Sequence, residues 1–362
     1  MKNRMRILIL LVSLILIVIT TGCALNSTTT KATTTTKKRV TGQTETMIDD
    51  ESSSILSDRK FKRGFVVRGL GLPIYKDHAD EETYGPAYDT GYVFQYGKDN
   101  LDSPVWEICQ WSSRYGFHDE SVTKFTANGT EYTYTNPSKF FRVNTSTGEF
   151  TLGIEGEKCY VYGDREQYME WPHLLVSRDI NRSFLTKVSD KTELRIKLDA
   201  SLDRFEDKMT VEPISWLHAA QCMFYLYISN YDEKTDNFSD MLWLGMSIFD
   251  SRSEYTEEFA RPDTESKESG TGKFIYNVAS TEYLSDGNNF YRDGKIAVGT
   301  SVTIDFDILP FVKIALQKAQ EQGCMLSSKY ENLYVSGMYI GFEIPGTYNI
   351  EMTYNNMDIR VK

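Results

Sequence analysis

Residues 219–252 read AAQCMFYLYISNYDEKTDNFSDMLWLGMSIFDSR, two apolar runs divided by an Asp- and Asn-rich turn. Alternate residues of a strand point to opposite faces. In the first run Phe224, Leu226 and Ile228 share one face, and Met223, Tyr225 and Tyr227 the other. In the second, Leu242, Leu244, Met246 and Ile248 fall together, opposite Trp243, Gly245, Ser247 and Phe249. A strand apolar on both faces is covered on both sides, so this pair is predicted to be central in a sandwich.

Shorter alternating pieces lie on either side. Strands are predicted within 62–72, 92–96 and 105–111, and at 130–134 after the hairpin signal Asn128-Gly129. Further strands are predicted at 140–143, 149–154 and 158–162, and the run Glu170-Trp171-Pro172-His173-Leu174-Leu175-Val176 follows. In 193–198, Leu194, Ile196 and Leu198 face one way and Glu193, Arg195 and Lys197 the other. The acidic, turn-rich stretch 254–272 reads as a long loop, and 274–278 and 301–306 read as strands. One helix is predicted: Asp307 as N-cap, Pro310 in the first turn, a stripe of Val312, Leu316 and Ala319, and Gly323 to end it. The chain closes on 333–343 and 348–361, the latter divided at Asn355-Asn356. The pattern predicts an all-β fold, a two-sheet jelly-roll sandwich with one α-helix in its C-terminal half.

The first 56 residues are of another kind. Lys2, Arg4 and Arg6 precede a short apolar stretch at 7–19, and Thr20-Thr21-Gly22 lead to Cys23. The apolar stretch falls short of the roughly 20 residues of a membrane span. Residues 1–22 resemble a bacterial lipoprotein signal peptide, which implies lipidation of Cys23 as the first mature residue. An ordinary secretory signal and an uncleaved anchor are the alternatives. Residues 23–56 are Thr- and Ser-rich with few large apolar side chains, and are predicted to be a flexible tether. That leaves 57–362 as a single sandwich domain held on the extracytoplasmic face of a membrane.

The net charge is −11, and it falls by three, to −14, once the leader's three cations are removed. Such a chain is a poor partner for nucleic acid or anionic lipid. Aromatics make up 13% of the residues, 23 of them Tyr, which suits sheets with polar-aromatic faces. Cys109, Cys159, Cys222 and Cys324 have no metal-ligand spacing. In an exported domain they allow two disulfides, although Cys222, at the edge of an apolar run, reads equally as a buried thiol.

Long aromatic strands, one late helix and the final strand NNMDIRV resemble the concanavalin A-like lectin and glucanase sandwiches, and also jelly-roll carbohydrate-binding modules, over 140–362. The resemblance implies glycan contact on one sheet face and does not imply catalysis. No cofactor is expected, structural Ca2+ apart. The tetrad Thr192-Glu193-Leu194-Arg195 is similar to part of a jelly-roll alginate-lyase strand motif. Lys191 replaces its leading arginine, and surface ion pairing accounts for Glu193 and Arg195 as well.

Sugar binding needs flat aromatic faces and polar groups between them. Tyr225, Tyr227, Trp243 and Tyr339 have that character, with Asp250 and Arg252 at the rim as hydroxyl ligands or as a local ion pair. The alternative is that these aromatics form a second core under loops. Glycoside cleavage needs two carboxylates about 5–5.5 Å or about 6.5–9.5 Å apart. Glu170, Asp250, Glu343 and Glu351 are the candidates near predicted sheets, with His173 beside them as acid, base or ligand. The acidic linker containing Asp232, Glu233, Asp236, Asn237 and Asp240 is oxygen-rich enough for structural Ca2+ but lacks EF-hand spacing. Three functions follow from these residues: a tethered glycan-binding protein, a polysaccharide-cleaving enzyme using Glu343, Glu170 and His173, and a structural or protein-binding surface lipoprotein.

Overall fold

In a computed structural model of the chain, the described residues are 53–362 without 82–87, 95, 97–102, 233, 235–239, 264–269 and 285–288. The leader, Cys23 and most of the tether therefore lie outside the described residues. The first strands are β1 (Phe65–Arg68), β2 (Asp89–Phe94), β3 (Trp106–Cys109), β4 (Lys124–Asn128) and β5 (Glu131–Asn136). Then come β6 (Lys139–Asn144), β7 (Glu149–Glu155), a helical turn α1 (Gly156–Cys159) and β8 (His173–Asp179). The middle holds β9 (Thr186–Lys187), β10 (Leu194–Asp207), β11 (Gln221–Asn230), β12 (Met241–Asp250), β13 (Phe259–Pro262) and β14 (Phe274–Val278). The chain ends with β15 (Tyr291–Arg292), β16 (Lys295–Ile296), β17 (Thr300–Asp307), α2 (Leu309–Glu321), β18 (Leu333–Glu343) and β19 (Tyr348–Val361).

Two sheets hold almost all of it. One runs β13-β14-β12-β11-β18-β8-β3-β1-β2, with β9 also on β18; the other runs β17-β10-β19-β7-β6-β5-β4. The last two strands are interior to both sheets, β18 between β11 and β8 and β19 between β10 and β7. The predicted inner faces meet in one apolar cluster: Phe224, Leu226, Ile228, Leu242, Leu244 and Met246 from the first sheet, Ile196, Leu198, Leu152 and Ile350 from the second. Contacts cross the interface directly, with the Phe65 and Phe141 rings 4.8 Å apart and the Cys222 thiol 2.9 Å from the Tyr354 hydroxyl. This is the two-sheet jelly-roll sandwich with a single long helix. Helix α2 lies against β12, β13 and β14 with Val312, Ala315, Leu316 and Ala319 buried.

Several local expectations are corrected. Residues 158–162 are not a strand: the chain turns through α1, which starts at Gly156, so close to Tyr348 that a Cβ would lie 2.3 Å from its carbonyl oxygen. The stretch 254–272 is not all loop, since 259–262 adds the edge strand β13 to β14. Asn356, at φ +53°, marks a bulge within β19 and not a break between two strands. Ile308, not Asp307, is the residue before α2, yet Asp307 Oδ1 still accepts the Leu309 N–H at 3.1 Å. Phe249 turns into the core with Ile248, because β12 bulges there: Cys222 pairs with Phe249 while Met223 pairs with Ser247.

The end of the predicted tether is likewise docked. Ser54 bridges to Arg360, the Ile55 N–H bonds to the Ile359 carbonyl at 2.9 Å, and Leu56 is buried. Arg59 then pairs with the buried Asp358 at 2.9 Å, and the Trp106 indole donates to the Asp58 carbonyl. Leu56 and Phe61 supply the apolar surface that anchors this segment.

All four sandwich cysteines are free thiols, so the disulfide alternative does not hold. Burial pushes the Cys109 thiol well above its usual range and the Cys222 thiol up to about 12. Cys324 alone of the four is not fully buried. Ellman's reagent is expected to label Cys324 in the native protein and to reach Cys109, Cys159 and Cys222 only in urea; rapid native labelling of Cys222 would contradict the packing.

Candidate functional site

A cleft of about 880 Å³ opens over the outer face of the first sheet, and strand register builds its floor. Tyr227 pairs across strands with Trp243 on one side and Gly337 on the other. Two residues along, Tyr225 pairs with Gly245 and Tyr339, and Gly245 pairs with Asn277. The Tyr225 and Tyr339 rings are 5.1 Å apart, and those of Tyr227 and Tyr339 are 6.0 Å apart. All four predicted floor aromatics line the cleft. Tyr225 is the deepest, at 5% exposure.

Glycines on the neighbouring strands permit this arrangement. A Cβ on Gly245 would lie 2.5 Å from the Tyr225 ring, and one on Gly337 2.5 Å from the Tyr227 ring. Each tyrosine therefore lies flat across a glycine of the adjacent strand. The room at Gly245 is filled by the Tyr225 ring.

At one end of the cleft a polar row crosses four strands. His173 of β8 pairs with Glu343 of β18, Glu343 with Gln221 of β11, and Gln221 with Asp250 of β12. Arg252 grips Asp250 with Nε to Oδ1 at 2.9 Å and Nη2 to Oδ2 at 2.6 Å, and Gln221 Nε2 donates to Oδ2 at 2.9 Å. Asp250 is thus a saturated, buried carboxylate in a local ion pair, with no oxygen left over for a sugar hydroxyl. Glu343 is freer. It accepts the Tyr339 hydroxyl at 3.2 Å and stands 3.8 Å from His173 Nε2. His173 Nδ1 is 2.9 Å from the Trp171 carbonyl, an acceptor, so the neutral ring carries its proton there and turns an unprotonated Nε2 toward Glu343.

Two loops, 160–172 and 208–220, form the rim beside this row. Asp164 Oδ2 accepts the Thr210 and Val211 amides at 2.7 and 3.2 Å. Arg165 donates to the Leu217 carbonyl at 2.9 Å while its guanidinium lies 4.6 Å above the Trp171 ring. His218, buried, accepts the Ile214 amide on Nδ1 and donates from Nε2 to the Arg165 carbonyl, a structural role. The rim presents Trp111, Trp171 and the 66%-exposed Trp216 to the cleft. Glu170, at 6% exposure, lines the same wall. Two buried polar atoms among the lining residues, Trp171 Nε1 and Asn277 Oδ1, have no hydrogen-bond partner among the described residues. Leaving such atoms unpaired costs about 1–3 kcal/mol each, which a polar ligand would recover.

The cleft therefore gathers Tyr225, Tyr227, Trp243, Tyr339, Asp250, Arg252, Glu170, His173 and Glu343. It excludes Glu351, which belongs to the second sheet beside Arg142. Asp263, on the cleft wall, accepts Thr271 groups across a tight turn. Glu193 and Arg195 lie in a surface ion network with Asp305 and Lys362, as their alternating pattern indicated. Of the calcium candidates, Glu233, Asp236 and Asn237 lie outside the described residues; Asp232 accepts from Asn332 and Asp240 pairs with Lys273. Among the described residues no three acidic, His or Cys side chains converge as a metal site. Sequence reasoning passed over Gln221, Asn277, Trp111 and Arg165. Gln221 has a usable signal, two residues before Met223 on the floor-facing parity; the others come from distant segments with none.

The chain matches no protein-family model and no curated protein. Among solved structures it is similar to a family 12 xyloglucanase from Bacillus licheniformis in complex with ligand, at 11% identity over 66% of this chain and 96% of that one, with a TM-score of 0.37. An endoglucanase from Rhodothermus marinus gives 12% identity over 66% and 95%, with a TM-score of 0.35. A family 11 xylanase from Neocallimastix patriciarum gives 10% identity over 67% and 97%, with a TM-score of 0.33. At that distance no residue role is carried from these enzymes to this chain.

Proposed function

We propose that the protein binds a stretch of polysaccharide in this cleft, as a glycan-binding jelly-roll protein tethered on the extracytoplasmic face through Cys23. The single observation that carries the reading is the floor: Tyr225, Tyr227, Tyr339 and Trp243 offer ring faces to the apolar side of sugar rings, with Gln221, Asn277 and Glu343 interleaved for the hydroxyls. The exposed Trp216 extends the aromatic surface beyond the polar row. The lipoprotein-like leader supports the tether and the location.

Binding is tested by affinity electrophoresis through gels holding soluble polysaccharides of several backbones. Trp243→Ala is expected to weaken retention at least about tenfold, the loss of one central aromatic anchor. Unchanged retention in the variant would remove the floor from the proposal.

A second reading, polysaccharide cleavage, has an observation of its own. Glu343 and Asp250 flank Gln221 in one register row and both line the cleft, with their backbones two strand spacings, about 9.5 Å, apart. Glu343 with His173 can hand over a proton, and Glu170 stands on the same wall. The grip of Arg252 on Asp250 opposes a base role for that carboxylate. Release of reducing ends from the same polysaccharides, abolished in Glu343→Gln, would establish this reading; retention without product would leave binding alone.

A further inference from the structure

The electrostatics of the cleft select among glycans. Among the described residues six carboxylates and three guanidiniums line it, and each of these guanidiniums is already engaged. Arg252 is held by Asp250 and also donates to the Ser215 carbonyl at 3.1 Å. Arg165 donates to the Leu217 and Met169 carbonyls at 2.9 and 3.0 Å and lies on Trp171. Arg261 lies 4.5 Å over the Phe259 ring. A carboxylated or sulfated sugar entering the cleft would meet no uncommitted cation among the described residues. It would meet Glu343 on the floor and Glu257 and Asp263 on the walls.

The floor points the same way. The faces of Tyr225, Tyr227, Tyr339 and Trp243 are negative poles of their ring quadrupoles, which attract a cation within about 6 Å. Burial first, and then the Glu343 charge, hold the Tyr225 and Tyr339 hydroxyls well above their usual range, so these rings remain neutral donors in a negative field. An ammonium group on a sugar would satisfy Glu343 and the ring faces together.

We infer that the cleft discriminates by charge, taking amino-sugar chains in preference to uncharged ones and rejecting carboxylated or sulfated chains. This rests on the glycan reading above and specifies its ligand class. It is tested by affinity electrophoresis of the full chain against three polymers sharing one backbone, hydroxyethylcellulose, its quaternised cationic form and carboxymethylcellulose. Chitosan and its re-acetylated form make a second matched pair. The protein is itself an anion and would be slowed by any polycation. Trp243→Ala has the same charge, so only the retention that this variant loses counts as cleft binding.

The cationic member of each set is expected to bind best, and carboxymethylcellulose at least about fivefold more weakly than its neutral counterpart. Equal or stronger cleft-dependent retention by carboxymethylcellulose would overturn the inference and leave the glycan reading standing. Equal retention of the cationic and neutral forms would likewise overturn it. Retention by none of the polymers would sink the glycan reading, and the inference with it.

Discussion

Methionine in place of Lys139 is expected to stabilise the protein near pH 7 by on the order of 4 kcal/mol. Lys139 opens β6 and is 2% exposed; its ammonium donates to the Tyr115 carbonyl and lies 5.1 Å from the Phe117 ring. No carboxylate is paired with it among the described residues, and burial pulls its pKa down to about 7. Between about 7 and the usual value near 10.5, the unfolded chain holds the proton and the folded chain does not, so this residue makes stability rise with pH. Below about 7 the folded state must carry the buried charge and the cost is fully present. Methionine keeps the length and removes the charge, and the Tyr115 carbonyl keeps its bond from Asn136 Nδ2 at 3.2 Å. Urea midpoints at pH 7, 8.5 and 10 should show a gain that is largest at pH 7 and shrinks toward pH 10. A gain independent of pH would mean that volume, not charge, sets the effect.

Alanine at Gly245 is expected to do the opposite, costing about 3 kcal/mol or more and removing glycan binding with it. The new Cβ would lie 2.1 Å from the Phe224 carbonyl oxygen and 2.5 Å from the Tyr225 ring. The first contact is with backbone in the middle of a sheet, where β12 is held between β11 and β14. The second tips Tyr225 off the floor. Gly129→Ala is the control: it stands at φ +60° in the β4–β5 turn with nothing within 4 Å of a Cβ. It should cost about 1 kcal/mol and leave the cleft alone. Equal losses in the two variants would show that close packing at Gly245 is not the cause.

These two residues also mark how far the sequence could be read. The strands 221–230, 241–250 and 333–343 were legible because each carries a long run apolar on both faces, and the Pro310 and Gly323 signals framed the helix. The edge strand 259–262 was not, since half-buried Phe-Ala-Arg-Pro has no alternation to distinguish it from loop. The identity of the four floor aromatics was legible from parity. Their setting over glycines was not, because Gly245 and Gly337 are cross-strand partners and not sequence neighbours. The polar row was hidden for the same reason. His173, Gln221, Asp250 and Glu343 meet only through register across four strands, and a one-residue bulge beside Phe249 decides that Asp250 faces the cleft. Lys139 gave no warning at all: its run, Lys-Phe-Phe-Arg, reads as a strand with polar flanks.

The interior position of β18 and β19 governs the order in which the molecule can assemble. A chain that ends before Leu333 has four sheet fragments in place of two sheets: β13-β14-β12-β11 and β8-β3-β1-β2 on one side, β17-β10 and β7-β6-β5-β4 on the other. Each of the last strands then closes pairings across very long sequence separations, as where Tyr354 of β19 joins Phe150 of β7, and such closures are slow. Neither large sheet is therefore continuous until residues 333–361 have joined it.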